Sequence, residues 1–227
     1  MSILKTVNSL SGGKSSSYIA LNYKADYNVF SLVRTNDKLC QYPDAKVRQI
    51  VSDLIGCEFV GTTEQDNIIE IMLNLSEQID IDWITGKAFE DVITTTGGKN
   101  KKTGSHYLPN MMVRYCTTEL KMKPIFKWWE ENINEVCDMR IGFRKGEEKR
   151  QLRMLDKLNE NGNEEIKIVI DSSGKRNKWG MVEWRTPSFP LIDNDITQRE
   201  VQEYWQKNKT VNFKEGYYNN CVGCFHR

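Results

Sequence analysis

The stretch that decides the fold is KTVNSLSGGKSSSYIALNY, which covers residues 5–23. Lys5–Leu10 contains strand-forming residues, and the turn-forming Ser11-Gly12-Gly13 follows at once. Ser15–Tyr23 then carries its apolar side chains at the spacing of a helix. These residues predict a β-strand, a tight glycine turn and an α-helix in direct succession.

The same alternation continues along the chain. Asn28–Arg34 (NVFSLVR) is a short apolar run typical of a buried strand. Further strands are predicted at Glu58–Gly61, at Asp138–Gly142 and in a hairpin of Ile166–Ile170 with Trp179–Trp184, and helices at Ala45–Leu54, Gln65–Leu75, Thr118–Asn132, Glu147–Leu158 and Thr197–Trp205. Gly97–Pro109 is polar and basic and is predicted as a loop. The alternation predicts an α/β fold with a mostly parallel sheet and helices on both faces. We expect one domain over residues 1–227, with 185–227 as a small C-terminal extension that carries cysteines.

The composition excludes several classes of protein. The sequence has 32 Lys and Arg against 31 Asp and Glu, a net charge of +1, which argues against a globally basic nucleic-acid binder. No apolar run approaches the ~20 residues of a membrane-spanning helix, and the first residues lack the apolar core of a signal peptide. We therefore expect a cytoplasmic protein without membrane contact. Its six cysteines are then reduced thiols or metal ligands rather than disulfides.

The segment Ser11–Ser17 (SGGKSSS) has the features of a phosphate-binding loop. Glycines directly after a strand let the backbone approach a ligand closely, and the N-terminus of the following helix attracts anions. The segment is neither a Walker A loop nor a GxGxxG turn. The alternative is an ordinary turn in which Ser15 caps the helix. The position at the first strand-to-helix turn favours phosphate, because ligands of α/β sheets bind there.

Four segments of the chain, taken in order, resemble one family. Ser11–Ser16 is similar to the SGGKDS pyrophosphate loop of the adenine nucleotide alpha-hydrolase group, which includes phosphoadenosine phosphosulfate (PAPS) reductases and N-type ATP pyrophosphatases. Cys116–Pro124 (CTTELKMKP) is similar to the reductase segment CxxxLKxxP, and Ile141–Arg150 (IGFRKGEEKR) resembles "GIRxDExxR". Pro190–Asp193 and the helix after it resemble a C-terminal "PL…D…T…V…W" pattern. The chain departs from the family at Ser15 and Gly146, where acidic residues are usual.

The resemblance implies a domain that binds ATP, adenosine phosphosulfate (APS) or PAPS, with Mg²⁺ where ATP is the substrate. The nucleotide-binding residues that it implies are Ser11, Gly12, Gly13, Lys14, Ser15, Ser16, Arg144 and Arg150. Arginine suits bidentate contact with phosphate or sulfate, and Lys121 would add a point charge. The alternative for these three basic residues is an exposed, solvated position on a helix. The catalytic residues implied are Arg144, Lys121 and Cys224.

The cysteines suggest a metal or a redox centre. Cys221-Val222-Gly223-Cys224 is a CxxC pair, which can chelate a metal or form a redox disulfide. In the APS reductase branch of the family an adjacent cysteine pair and a distant CxxC hold a four-iron cluster, so the resemblance implies metal ligands at Cys116, Cys221 and Cys224. Only Cys116 stands where the adjacent pair would be. The fourth ligand stays open between Cys40, Cys57, Cys137 and His226, and the metal between an iron–sulfur cluster and zinc. Cys57 and Cys137 have apolar neighbours, which favours small core residues over metal ligands at these two positions.

Two classes of function follow. The first is an enzyme of PAPS-reductase type in sulfur chemistry, either an oxidoreductase that uses a thiol reductant or an ATP pyrophosphatase that activates an acceptor such as a nucleic acid. The second is a non-catalytic adenine-nucleotide-binding module, a sensor or a subunit of a complex, which the missing acidic residues favour. We also expect a homo-oligomer.

Overall fold

The structure, a computed structural model, describes residues 4–96, 98–99, 102–110, 114–173 and 176–213. Its strands are β1 (Thr6–Leu10), β2 (Tyr27–Leu32), β3 (Arg34–Thr35), β4 (Gly61–Thr62), β5 (Asp82–Thr85), β6 (Cys137–Arg140), β7 (Glu164–Asp171) and β8 (Lys178–Ser188). Its α-helices are α1 (Lys14–Asn22), α2 (Ala45–Ile55), α3 (Asn67–Ser76), α4 (Phe89–Thr95), α5 (Tyr115–Thr117), α6 (Lys123–Asn132), α7 (Glu148–Leu155), α8 (Pro190–Asp193) and α9 (Gln198–Lys207).

The main sheet has six strands in the order β5-β2-β1-β6-β8-β7, and β3 and β4 form a separate pair. β1 runs parallel to β6, β6 to β8, and β2 to β5, whereas β7 and β8 form an antiparallel hairpin. The predicted α/β class with a mostly parallel sheet and flanking helices is therefore confirmed. No helix in the described part of the chain has both the length and the apolar character needed to cross a membrane.

The chain divides into two compact units. Of the described residues, the first unit takes those within 4–9, 14–28 and 129–208, and the second takes those within 10–13, 29–128 and 209–213. The division crosses the loop after β1, because Gly13 ends one segment and Lys14 begins another.

The core of the first unit lies around Trp184, which is fully buried in β8. Its ring meets that of Trp129 edge-on, with centroids 6.3 Å apart, and Met139 is also fully buried. The end of α1 is fixed by Arg140, whose guanidinium donates to the carbonyl oxygens of Tyr23 and Lys24 at 3.0 and 2.8 Å. These carbonyls follow the last turn of the helix, where intrahelical partners run out.

The core of the second unit is built on α3. Five of its side chains are fully buried, because Ile and Leu recur on the face that packs on the unit: Ile68, Ile69, Ile71, Met72 and Leu75. The phenyl ring of Phe30 in β2 lies edge-on to the ring of Trp83 in β5, with centroids 5.0 Å apart.

Most predicted elements are present with ends shifted by a few residues, but the strand expected at Glu58–Gly61 is shorter. Only Gly61–Thr62 is a strand, and the backbone N–H of Phe59 donates to the Ser52 hydroxyl of α2 at 2.9 Å. Phe59 is buried, so the apolar pattern marked burial, but its amide bonds to a helix side chain rather than to a strand. β5 and α4 have no counterpart among the elements predicted from the sequence.

Candidate functional site

The turn after β1 requires a glycine at position 12 for steric reasons. Gly12 has φ +71°, a left-handed conformation that glycine adopts without cost. A Cβ atom there would lie 2.6 Å from Cγ2 of Ile68, which is fully buried in α3. The second unit therefore accepts only glycine at this point of the loop.

The first turn of α1 continues the same loop within the first unit. α1 starts at Lys14, has no acidic residue in its first turn, and buries Ser16 and Ser17. The first four N–H groups of a helix have no partner inside the helix, and the helix dipole places positive charge there. This is the local chemistry of an anion site.

A second glycine lies against this helix turn. Gly142 follows β6, and a Cβ atom there would lie 3.3 Å from the backbone nitrogen of Ser16 and 3.4 Å from Cβ of Ser15. The loop after β6 thus approaches the N-terminal backbone of α1 more closely than a side chain would normally allow. Gly142 and Arg144 belong to the same predicted motif, so the structure brings this motif together with Ser15 and Ser16.

Arg144 and Arg150 share one carboxylate. Oε2 of Glu147 accepts from the backbone N–H of Arg144 at 3.1 Å and from its Nε at 3.0 Å, and Oε1 accepts from Arg150. Burial alone would raise the pKa of Glu147, but the hydrogen bonds from the two arginines outweigh it and hold the pKa below its usual range. Arg144 is one-quarter exposed, whereas Arg150 is 58% exposed.

This cluster orients Arg144. Its backbone and Nε are held by Glu147, while the part of the chain that the structure describes gives its two terminal nitrogens no hydrogen bond. Those nitrogens are available to an anion. Arg150 instead lies 4.3 Å above the ring of Phe143, which stacks on Phe189 at 5.6 Å. Arg150 is thus held by local contacts at the surface, which is closer to the solvated alternative.

Lys121 lies in the second unit on an unusual helix turn. Thr118–Met122 is π-helical and joins α5 to α6, and such turns are frequent at functional sites. The Lys121 Nζ atom lies 2.6 Å from Oε1 of Glu64, a carboxylate that is almost fully buried. The ammonium group therefore has a buried counter-ion, which the sequence analysis did not anticipate.

The cysteines are only partly within the described structure. Cys116 is half-buried and packs against the apolar cluster of Val33, Val92, Tyr115 and Leu120. Cys221 and Cys224, the other two predicted ligands, lie outside the described residues, as does His226. In the ranges that the structure does describe, no group of three His, Cys, Asp or Glu side chains could hold a metal ion.

The remaining cysteines differ in exposure. Cys137 is fully buried in β6, and burial raises the pKa of its thiol to about 11, which agrees with the predicted core position. Cys57 is partly buried and Cys40 is exposed. With so high a pKa, the thiol of Cys137 is a poor source of the thiolate that a metal needs.

One contact of the first unit was missed because it joins distant segments. The indole N–H of Trp205 in α9 donates to the carbonyl oxygen of Lys14 at 2.9 Å, so α9 holds the first residue of α1. In the second unit, Asn67 is nine-tenths buried and its Oδ1 has no hydrogen-bond partner in the described structure. Trp205 stood in the predicted pattern, but only as an apolar helix residue.

No protein-family model, curated protein or solved structure matches the chain.

Proposed function

We propose that the chain is an adenine-nucleotide-dependent enzyme of PAPS-reductase type, with its nucleotide phosphates at Ser11–Ser16. The observation that carries the proposal is the close approach of Gly142 to the backbone nitrogen of Ser16. Gly142 belongs to one segment that resembles the family, and Ser16 belongs to another, in the N-terminal turn of α1. The approach therefore brings two segments that resemble the same family together. A turn of this kind binds phosphate through backbone N–H groups.

Arg144 is the proposed clamp for the phosphate or sulfate. Glu147 fixes the guanidinium through Nε, and the terminal nitrogens form the fork that matches two oxygens of one anion. Arg150 supports the clamp by neutralising the second oxygen of Glu147. Lys121, fixed by Glu64, stays a proposed catalytic residue that offers positive charge.

The reaction has two forms within this class. In a pyrophosphatase-type reaction, an acceptor atom attacks the α-phosphorus of ATP, the bond to the bridging oxygen breaks, and pyrophosphate leaves with the electron pair and with Mg²⁺. In a reductase, the Cys224 thiolate attacks the sulfonyl sulfur of APS or PAPS, and the nucleotide phosphate leaves with the electron pair. A thiol reductant then releases sulfite from the S-sulfonated cysteine and is itself oxidised to a disulfide. A nucleic acid is the proposed acceptor in the first form.

As the alternative to a nucleophilic Cys224, we propose that Cys116, Cys221 and Cys224 together bind an iron–sulfur cluster or zinc in the reducing cytoplasm. Metal analysis of protein purified without oxygen tests this. Cys116→Ser should lose the bound iron or zinc, whereas Thr117→Ser, the neighbouring position of α5, should retain it. Full metal content in Cys116→Ser would refute the ligand set.

One observation favours the non-catalytic alternative. Gly146, which stands where the family has an acidic residue, has φ +93°, a conformation that disfavours an aspartate or glutamate. At position 146, therefore, the sequence lacks the family's acidic residue and the backbone conformation disfavours one. A nucleotide-binding module would bind ATP but release no pyrophosphate.

The test is calorimetric titration of one anaerobic sample with ATP, APS and PAPS, followed by a pyrophosphate assay. Arg144→Gln should weaken binding by about tenfold or more, since a charge-assisted hydrogen bond contributes ~1.5–3 kcal/mol. Arg153→Gln on the exposed side of α7 removes the same charge and serves as the control. Unchanged affinity in Arg144→Gln, or binding of none of the three nucleotides, would refute the site. A preference for ATP indicates the pyrophosphatase form, and a preference for APS or PAPS indicates the reductase.

A further inference from the structure

One of the two edges of the main sheet is formed by β7. This strand is last in the sheet order and pairs only with β8 within the described residues. The pairing is regular over Glu165–Val169 and shifts register on either side of that run. The outward N–H and C=O groups of an edge strand are a template for another strand.

The ribbon to which β7 belongs has little support in the described structure. β8 pairs with β6 only over Arg185–Ser188, so Lys178–Trp184 has β7 as its strand partner. Large apolar side chains on this ribbon are exposed, with Trp179 at 55% and Met181 at 56%. Two-stranded ribbons are marginal in water, and additional strands stabilise them.

Two opposite charges on β7 lack an ion pair. Glu165 and Lys167 are both exposed and, being two residues apart, lie on the same face of the strand. Neither forms an ion pair within the part of the chain that the structure describes; the Lys167 ammonium lies 5.6 Å from the centre of the Trp179 ring, which leaves its charge unneutralised. The β8 residue opposite Glu165 is Glu183, a like charge, and the one opposite Lys167 is Met181. The hairpin therefore supplies no cation opposite Glu165.

We propose that β7 pairs antiparallel with β7 of a second copy of this chain, about a twofold axis at Ile166. This register places Glu165 opposite the partner's Lys167 and Lys167 opposite the partner's Glu165. Ile166 lies opposite the partner's Ile166. Opposite charges that face each other across strands stabilise a sheet, and like charges destabilise it.

The charges select this register over its neighbours. In an antiparallel pair of identical strands, residues that face each other have their side chains on the same face of the sheet, so the twofold axis must pass through a residue. The alternative registers therefore differ in which residue lies on the axis. An axis at Lys167 would place two lysines opposite each other. An axis at Ile168 would place Glu165 opposite the partner's Asp171. Of these three, only the axis at Ile166 pairs both charges that lack an ion pair, and its pairing covers Glu164–Ile168 within β7. This proposal does not depend on the proposed function.

Sedimentation velocity over a concentration series tests the proposal. The wild-type protein should form a dimer that weakens at about 1 M salt, where the Debye length is ~3 Å. Lys167→Glu and Glu165→Lys should each raise the dimer Kd by about tenfold or more, because two attractive pairs become two repulsive ones. Lys149→Glu, the same charge change on exposed α7, should leave the dimer unchanged.

Mixing the two strand variants gives the decisive result. In the mixed pair, the two substituted side chains would face each other with opposite charge at one end of the pairing. At the other end the unaltered Lys167 of one copy would face the unaltered Glu165 of the other. The mixture should therefore form a heterodimer at concentrations where each variant alone is a monomer.

Because a misfolded variant could not restore association, the mixing result also separates the interface from stability. A wild-type monomer at all concentrations, dimerisation of Lys167→Glu at wild-type strength, or a mixture that stays monomeric would each overturn the proposal.

Discussion

Gly142→Ala tests whether the Ser16 amide binds phosphate. The new Cβ would lie 3.3 Å from the backbone nitrogen of Ser16, closer than the ~3.5–4.0 Å at which non-bonded carbon atoms attract best. Two of the three nearest atoms belong to the backbone of α1 and the third is Cβ of Ser15, so none of them can rotate away. The φ of Gly142 is not in the left-handed region, so the backbone itself accepts alanine.

The expected cost follows from this geometry. Overpacking of one methyl group typically costs ~1–3 kcal/mol, and we expect the lower part of that range because a shift of a few tenths of an ångström relieves the contact. The shift displaces the Ser16 amide, and the methyl group occupies the space beside it. Nucleotide Kd should therefore rise by about tenfold or more, which corresponds to ~1.4 kcal/mol.

Calorimetry with the nucleotide that binds best, together with urea unfolding, separates the two effects. Gly98→Ala is the control, because its Cβ would meet a ring carbon of Tyr107 at an ordinary 3.6 Å. It should change neither quantity by much. Gly142→Ala with wild-type affinity would refute the phosphate-loop reasoning, whatever its stability.

Three further substitutions test contacts around the loop. Trp205→Phe keeps an aromatic ring but loses the N–H that donates to the Lys14 carbonyl. It should lower the free energy of unfolding in urea by ~1 kcal/mol and weaken nucleotide binding. Wild-type values for both quantities would contradict the role of α9. Lys121→Met removes the cation beside the buried Glu64 carboxylate and should lower the free energy of unfolding by ~3–5 kcal/mol. Adding Glu64→Gln to the same protein should restore most of that loss. If the losses of the two single variants simply add in the double variant, the ion pair does not stabilise the fold. Glu147→Gln should flatten the loss of stability in acid, because the lowered pKa of Glu147 contributes stability above its ordinary value of 4.5 that is lost as pH falls through the folded value. Unfolding free energies at neutral and acidic pH measure this, and an unchanged difference between them would argue against the Arg144 contact.

The sequence was sufficient for the fold class because periodicity reports burial directly. The apolar run in β2 and the spacing in α3 predicted a strand and a helix, and both are present. Phe59 shows the limit of this reasoning. Its burial was visible in the pattern, but the partner of its amide, the Ser52 hydroxyl, was not.

The candidate site was predictable only in its local parts. The glycine turn and the arginine after β6 could be read from residue type and position. The carboxylates that hold Lys121 and Arg144 were not anticipated, although Glu147 stands only three residues from its partner. Glu64 is 57 residues from Lys121, and periodicity does not show which buried carboxylate a distant lysine will meet.

Two segments that are far away in sequence contact the first turn of α1. Gly142 packs on the Ser16 backbone, and Trp205 binds the carbonyl of Lys14. A helix N-terminus that binds an anion must keep its N–H groups aligned without the ligand, because ordering them on binding would consume affinity. The contact from α9 therefore makes the C-terminal helix part of the loop's support. Residue 185, where the C-terminal extension was predicted to begin, lies inside β8, and α9 beyond it contacts the first residue of α1.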